Sequence, residues 1–110
     1  MKIILFANTD WFLYNFRLSL IKQLANEGHQ LLLVSAGGDY AQKMATEGFR
    51  HHIFRLSQRG INPIAELRSL FELIKLYQSQ KPDLVHHFTI KPVLYGSFAA
   101  KIADLPKIIN

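Results

Sequence analysis

In the run Pro82-Asp83-Leu84-Val85-His86-His87-Phe88-Thr89-Ile90-Lys91-Pro92, a short apolar strand passes without interruption into a cationic turn that opens a helix. Pro92 suits the first helical position, where a missing N–H costs nothing, and the unpaired donors of that turn converge with the Lys91 ammonium. Such a junction favours an anion, a phosphate above all. If the strands form a parallel sheet, every strand-to-helix turn emerges on one edge, and residues far apart in sequence meet there. That edge would collect Asn8, Thr9 and Asp10 after the first strand, Gly37 and Gly38 after the second, Ser57, Gln58 and Arg59 after the third, Thr89 and Lys91 after the fourth, and Asn110 at the end. The set suits recognition of hydroxyls and a phosphate better than hydride or metal chemistry.

Each member also has a plain structural reading. Asp10 is either the cap of the first helix or a carboxylate that accepts from a substrate hydroxyl, as general base catalysis requires. Trp11 and Phe12 either staple the helix entry or supply an apolar wall for a sugar or lipid. Gly37-Gly38 lets a ligand approach the backbone, but a turn alone explains it. Arg59, in a loop with Gly60 and Asn62, is a phosphate ligand or a solvated surface cation. The first turn lacks a G-x-G-x-x-G, which leaves a dinucleotide site without support. His86 and His87 are adjacent on a strand and point to opposite faces, as do His51 and His52, so neither pair shares a metal easily. No metal and no cofactor are expected.

The chain has 110 residues, 49% hydrophobic and 19% charged, enough for one core and too few for two, so residues 1–110 are read as one domain. The lack of cysteine excludes a disulfide framework and a thiol nucleophile and fits a reducing compartment, so cytoplasm is the expected location. The apolar start at residues 3–7 is broken by Asn8, Thr9 and Asp10 and reads as a buried strand rather than a secretion signal. No run approaches the roughly 18 apolar residues of a membrane span. The net charge of +5 is dispersed, which favours anionic small molecules or lipid headgroups and gives nucleic acid little support.

Positioning these residues are apolar strands that alternate with amphipathic helices, the pattern of a parallel α/β sheet with helices on both faces. Strands are expected at residues 2–7, 29–35, 49–56, 84–88 and 107–110. The third mixes polar and apolar residues on both sides and belongs nearer the sheet edge. Leu13, Phe16, Leu20, Ile21 and Leu24 recur at helical spacing up to Gly28; Asp39 can cap a short helix that runs through Glu47, with Gly48 as the left-handed residue after it; Ile64, Leu67, Leu70, Phe71, Ile74 and Tyr77 mark a long one. That long helix is explained by packing on the sheet, with a membrane surface as its alternative contact. In the last helix, over residues 92–105, Gly96, Ala99, Ala100 and Ala103 permit close approach to the sheet. Ending on a strand, such a unit is expected to be half of something larger.

The chain resembles the amino-terminal domain of the retaining, GT-B-fold glycosyltransferases of family 4, bacterial capsular and lipid-linked polysaccharide enzymes in particular. The resemblance covers essentially the whole chain. It rests on Asn8-Thr9-Asp10-Trp11-Phe12, Glu27-Gly28-His29, Ser57-Gln58-Arg59-Gly60-Ile61-Asn62-Pro63, and Pro82-Asp83-Leu84-Val85-His86 leading to Thr89-Ile90-Lys91-Pro92-Val93-Leu94-Tyr95-Gly96. It implies half of a two-domain Rossmann-like transferase, the half that mainly holds the acceptor. A nucleotide-sugar donor would be bound by the other domain, which also carries the family's paired glutamates. Many relatives show His-x-His at the end of the fourth strand; here His86 matches the first position and Phe88 occupies the second, so no catalytic histidine is carried over.

The expected function is therefore the acceptor-binding domain of a glycosyltransferase that moves a sugar from a nucleotide-sugar to a saccharide acceptor, lipid-linked and part of surface polysaccharide synthesis. Asn8, Thr9, Asp10, Thr89 and Lys91 would contact the acceptor, and Arg59 and Lys91 a phosphate. The isolated chain is expected to be inactive, with peripheral contact at the inner face of the cell membrane. The alternative is a stand-alone non-catalytic α/β module that binds a phosphorylated ligand or a partner subunit; sugar-nucleotide epimerases share the architecture as a third possibility.

Overall fold

In the computed structural model, which describes residues 1–55 and 62–110, the elements follow in the order β1 (Lys2–Thr9), α1 (Asp10–Phe16), α2 (Leu18–Asn26), β2 (Gln30–Ala36), α3 (Asp39–Thr46), β3 (Arg50–Ile53), α4 (Pro63–Gln80), β4 (Leu84–His87), α5 (Ile90–Ile102) and β5 (Ile108–Ile109). The strands form one sheet in the order β3-β2-β1-β4-β5, and every pairing is parallel. β1 is central, with Phe6 opposite Val34 on one side and His87 on the other.

Alternation along β1 divides the core in two. Ile3, Leu5 and Ala7 pack with Leu13, Ile21 and Met44 beneath α1, α2 and α3. Ile4 and Phe6 pack with Leu73, Tyr77, Ala99 and Ala100 beneath α4 and α5. Burial on both faces is why β1 and β2 read as unbroken apolar runs. β3 lies at the edge, as its mixed composition implied.

Helix boundaries follow local chemistry. Asn62 Oδ1 accepts from the Ile64 and Ala65 N–H groups and starts α4, with Pro63 in its first turn. Gly28 and Gly48 take positive φ after α2 and α3, where a side chain would be strained. Most element ends shift by one to three residues from the sequence reading, β1 running on to Thr9 and β3 closing at Ile53, and two of the differences bear on the site. The apolar spacing over residues 13–24 suggests one helix, but the backbone breaks at Arg17, with φ −127° and ψ 6°, which closes α1 and opens α2. α5 begins at Ile90, so Pro92 is its third residue, still within the turn whose N–H groups have no helical partner.

Gly96 lets α5 approach the sheet. A Cβ at this position would lie 2.2 Å from His87 Nε2, and His87 is itself held between the helix and Tyr77. Gly96→Ala is expected to destabilise the fold by about 1–3 kcal/mol through overpacking, measured as a lower urea midpoint at unchanged slope; an unchanged midpoint would show that α5 can retreat freely.

Candidate functional site

Strand order turns back between β1 and β4: the chain leaves β1 toward β2 and β3 under one set of helices and returns to β4 and β5 under the other. Turns diverge on either side of such a point and leave a crevice at the carboxyl ends of the strands. A cleft of about 790 Å³ opens there, within the size range of small-ligand sites. Phe12, Phe16 and Leu20 of the α1–α2 segment form one wall, and Ile90, Val93 and Leu94 of α5 the other. His86, Phe88, Thr89, Asn110 and Arg17 supply the floor and the polar groups.

Thr89 makes the turn from β4 into α5 with φ 68° and ψ 170°, a conformation that costs a non-glycine residue roughly 1–3 kcal/mol. Its hydroxyl donates to the Phe88 carbonyl and does not cap α5. Strain is thus held at the cleft, and the first N–H groups of α5 have no side-chain cap.

Beside it, His86 packs against Phe88 with ring centroids 4.1 Å apart and planes inclined by 34°. Burial, and then the Arg17 charge, hold its imidazole below the ordinary histidine pKa, which keeps it neutral. His87 points to the opposite face and is 1% exposed. The Asn110 amide oxygen, 2.9 Å from Nδ1, can only accept, so Nδ1 carries the proton and Nε2 accepts from the Tyr77 hydroxyl at 2.8 Å. Ser97 donates to the same Asn110 oxygen at 3.1 Å. Burial lowers the His87 pKa and raises that of Tyr77, so both stay neutral and the chain of bonds ties β4, α4, α5 and Asn110 together.

The residues expected from sequence are spread along this rim. Asp10 and Lys91 follow neighbouring strands, but their side chains turn toward different faces. Asp10 is 7% exposed; its Oδ1 accepts from Trp11 N–H at 2.9 Å, and its Oδ2 accepts from Ala41 N–H at 2.8 Å. It therefore caps α3, whose own N-cap is Gly38, rather than α1. α1 is capped by Thr9, whose Oγ1 accepts from Phe12 N–H at 3.1 Å. Gly38 makes room for this: a Cβ there would fall 2.7 Å from Asp10 Oδ2. Asn8 follows β1's core residues with its Oδ1 buried and without a hydrogen-bond partner. Lys91 Nζ lies 3.8 Å from Glu66 of α4 and outside the cleft lining. Thr89 lines the cleft; Arg59 lies outside the described residues.

Sequence reasoning passed over Arg17. Its guanidinium lies 5.4 Å from the Phe12 ring centroid and 5.1 Å from that of Phe88, and Nη1–H donates to the Phe16 carbonyl at 3.0 Å. The available signal was a cation directly after the aromatic run Trp11, Phe12, Tyr14, Phe16, hidden because the apolar spacing appeared to continue through it.

With this geometry in view, the fold is the amino-terminal Rossmann-like half of the GT-B arrangement. The described structure superposes on MurG of Acinetobacter baumannii with a TM-score of 0.73 at 18% identity, covering 98% of this chain and 34% of that one. Residues 2–110 match the model of the family described as glycosyl transferase 4-like, and the chain belongs to that family. It is 26% identical over 106 residues to the N,N'-diacetylbacillosaminyl-diphospho-undecaprenol alpha-1,3-N-acetylgalactosaminyltransferase of Campylobacter jejuni, covering 96% of this chain and 28% of the relative. It is 35% identical over 52 residues to the UDP-Gal:alpha-D-GlcNAc-diphosphoundecaprenol alpha-1,3-galactosyltransferase of Escherichia coli, 47% of this chain and 13% of that protein. The chain thus spans under a third of the length of either relative.

Two expected outcomes follow from the buried polar groups. Asp10→Ala and Gly38→Ala should each cost about 1–2 kcal/mol, the worth of a helix cap, and the double variant less than their sum; strict additivity in urea unfolding would separate Asp10 from α3. The lowered pKa of His87 means that the folded chain binds fewer protons than the unfolded one. Stability is then full above about pH 6.5, the unfolded value, and falls as the pH drops through it, by up to about 1.4 kcal/mol per pH unit for one histidine. His51, lowered chiefly by burial against an opposing pull from Asp10, acts in the same sense. A stability flat between pH 7.5 and 5 would contradict this.

Proposed function

We propose that this chain is the acceptor-binding half of a glycosyltransferase that passes a sugar from a nucleotide-sugar donor to a saccharide carried on a polyprenyl diphosphate. The observation that carries the reading is the cleft at the β1/β4 turning point, mostly apolar and opening beside the strained start of α5. Family membership supplies the reaction class. The C. jejuni and E. coli relatives are both named for acceptors on undecaprenyl diphosphate, which supports an acceptor with one apolar and one polar end.

In this reading the acceptor's saccharide lies toward Thr89 and the rim beyond β1 at Asn8, and its lipid leaves along Leu20, Ile90 and Leu94. Thr9 and Asp10 shape that rim through the two helix caps they provide. Lys91 flanks the α5 start as an outer cation, its Nζ 3.8 Å from Glu66. Donor binding and the catalytic groups belong to the part of such enzymes that this chain does not span, so the chain alone is inactive. Work at a membrane surface follows from a lipid-linked substrate; among the described residues no helix is long and apolar enough to cross a bilayer.

A short-chain analogue, farnesyl-diphosphate-linked N-acetylglucosamine, should perturb the amide resonances of Thr89, Ile90 and Val93 in a saturable way. Leu94 is 63% exposed, so Leu94→Glu leaves the fold intact while placing a charge in the cleft mouth, and affinity should fall about 10-fold or more. A UDP-sugar at equal concentration should leave these resonances unmoved. Preferential binding of the UDP-sugar in the cleft would overturn the acceptor assignment.

A further inference from the structure

The cleft contains a single formal charge among the described residues. No carboxylate lines it, its histidines are held neutral by burial, and Arg17 alone brings a cation. No described carboxylate pairs with that guanidinium; its surroundings are the faces of Phe12 and Phe88 and the Phe16 carbonyl. A guanidinium carries five N–H donors in a planar fork, and the Phe16 carbonyl takes one of them here. Ring faces grip the cation without using its edge donors, because cation–π attraction acts through the plane. The fork is therefore oriented in advance and its remaining donors have no described protein acceptor.

The break between α1 and α2 gives the placement a backbone cause. Arg17 ends one helix and begins the next, its N–H donating to Leu13 at 3.0 Å and its carbonyl accepting from Ile21 at 2.9 Å. A residue inside a continuous helix would be tied to the rotation of its neighbours. At this junction the side chain turns instead across the end of β4 toward Phe88.

We propose that Arg17 is the residue that recognises the diphosphate of the acceptor in this cleft, and that Phe16, Leu20, Ile90 and Leu94 select for an isoprenoid chain attached to it. The proposal rests on the acceptor reading above and deepens it by naming the group that is held. The fork of an arginine matches two oxygens of a phosphate at once. An anion alone would satisfy the cation but leave the apolar walls in water. An uncharged lipid would cover the walls but bury the guanidinium without a counter-charge, which is costly. A chain-bearing diphosphate answers both requirements.

Trp11 is the chain's sole tryptophan, and its ring centroid is 5.3 Å from that of Phe16, so its fluorescence reports on the cleft wall. The 110-residue chain is titrated with farnesyl diphosphate, with farnesol and with inorganic pyrophosphate, as wild type and as Arg17→Met, Arg17→Lys, Lys91→Ala and Leu94→Glu. Farnesyl diphosphate should bind tightest. Arg17→Met should weaken it about 10- to 100-fold, the range for charge-assisted bonds, and leave farnesol unchanged. Arg17→Lys should fall between, and added salt should weaken wild type more than Arg17→Met. If Arg17→Met binds farnesyl diphosphate like wild type while Leu94→Glu does not, the cleft reading stands and the role of Arg17 is refuted; a loss confined to Lys91→Ala would move the phosphate to the α5 start. Indifference to every variant would remove both readings. Pyrophosphate binding as tightly as farnesyl diphosphate would refute the isoprenoid part and leave a free-phosphate site. Should Arg17→Met fail to melt cooperatively, the affinity and salt dependence of Arg17→Lys decide the matter, since that variant keeps the charge and most of the stem.

Discussion

Parallel pairing of β1 with both β2 and β4 constrains everything else in this molecule. A parallel neighbour can be reached only by a crossover, and crossovers of one hand that leave the central strand in opposite directions must cover opposite faces of the sheet. The α1–α2 segment therefore lies on one side and α4 and α5 on the other. Where they part, at the carboxyl ends of β1 and β4, no helix among the described residues fills the space. The cleft is thus a product of topology, present before any particular side chain is chosen to line it.

Side chains then decide what the cleft can hold, and much of the polar chemistry nearby is spent on holding the fold. Asp10 looks like a general base in isolation, yet both of its oxygens accept backbone N–H groups, one of them across to α3. His87 sits at the end of a strand where a catalytic residue would be unsurprising, but its ring bridges Tyr77 and Asn110 in a buried and fully satisfied chain. A half-satisfied network of this kind would be worse than an apolar one. Its completeness identifies it as a tie between β4 and the helices, and it requires Gly96 to admit it.

The sheet was legible in the sequence because its signals are local. Leu31-Leu32-Leu33-Val34 can hardly be anything but a strand buried on two faces, and Gly28 and Gly48 stop helices wherever they fall. The small residues Gly96, Ala99 and Ala100 correctly announced a helix lying close on the sheet. The site was legible only in part, since its decisive contacts join residues distant in sequence. Nothing near Asp10 reveals that its partner is the N–H of Ala41, and nothing near Gly38 reveals that its missing Cβ is the space for Asp10. The break at Arg17 was concealed by periodicity itself: Leu13, Phe16, Leu20, Ile21 and Leu24 keep helical spacing on both sides of it, so a pattern search runs straight through. Local rules find elements; they do not find which two elements a side chain spans.

Two features at the cleft depart from what local structure alone would select. Thr89 takes a conformation natural only to glycine, and Arg17 occupies a half-buried place lined by rings with no carboxylate beside it among the described residues. A glycine would satisfy the local backbone better at the first position, and at the second the guanidinium uses two ring faces and one carbonyl but leaves its other donors without a described protein acceptor. Violations of local preference concentrate where a second requirement competes with stability. Here the two lie on either side of one opening, the strained turn setting the uncapped start of α5 against it and the ring-gripped guanidinium facing it from the α1–α2 break. Stiffness is what they have in common. A turn that has already accepted its strain and a side chain already laid against two adjoining rings lose little freedom when a ligand arrives, so more of each contact made with that ligand appears as affinity.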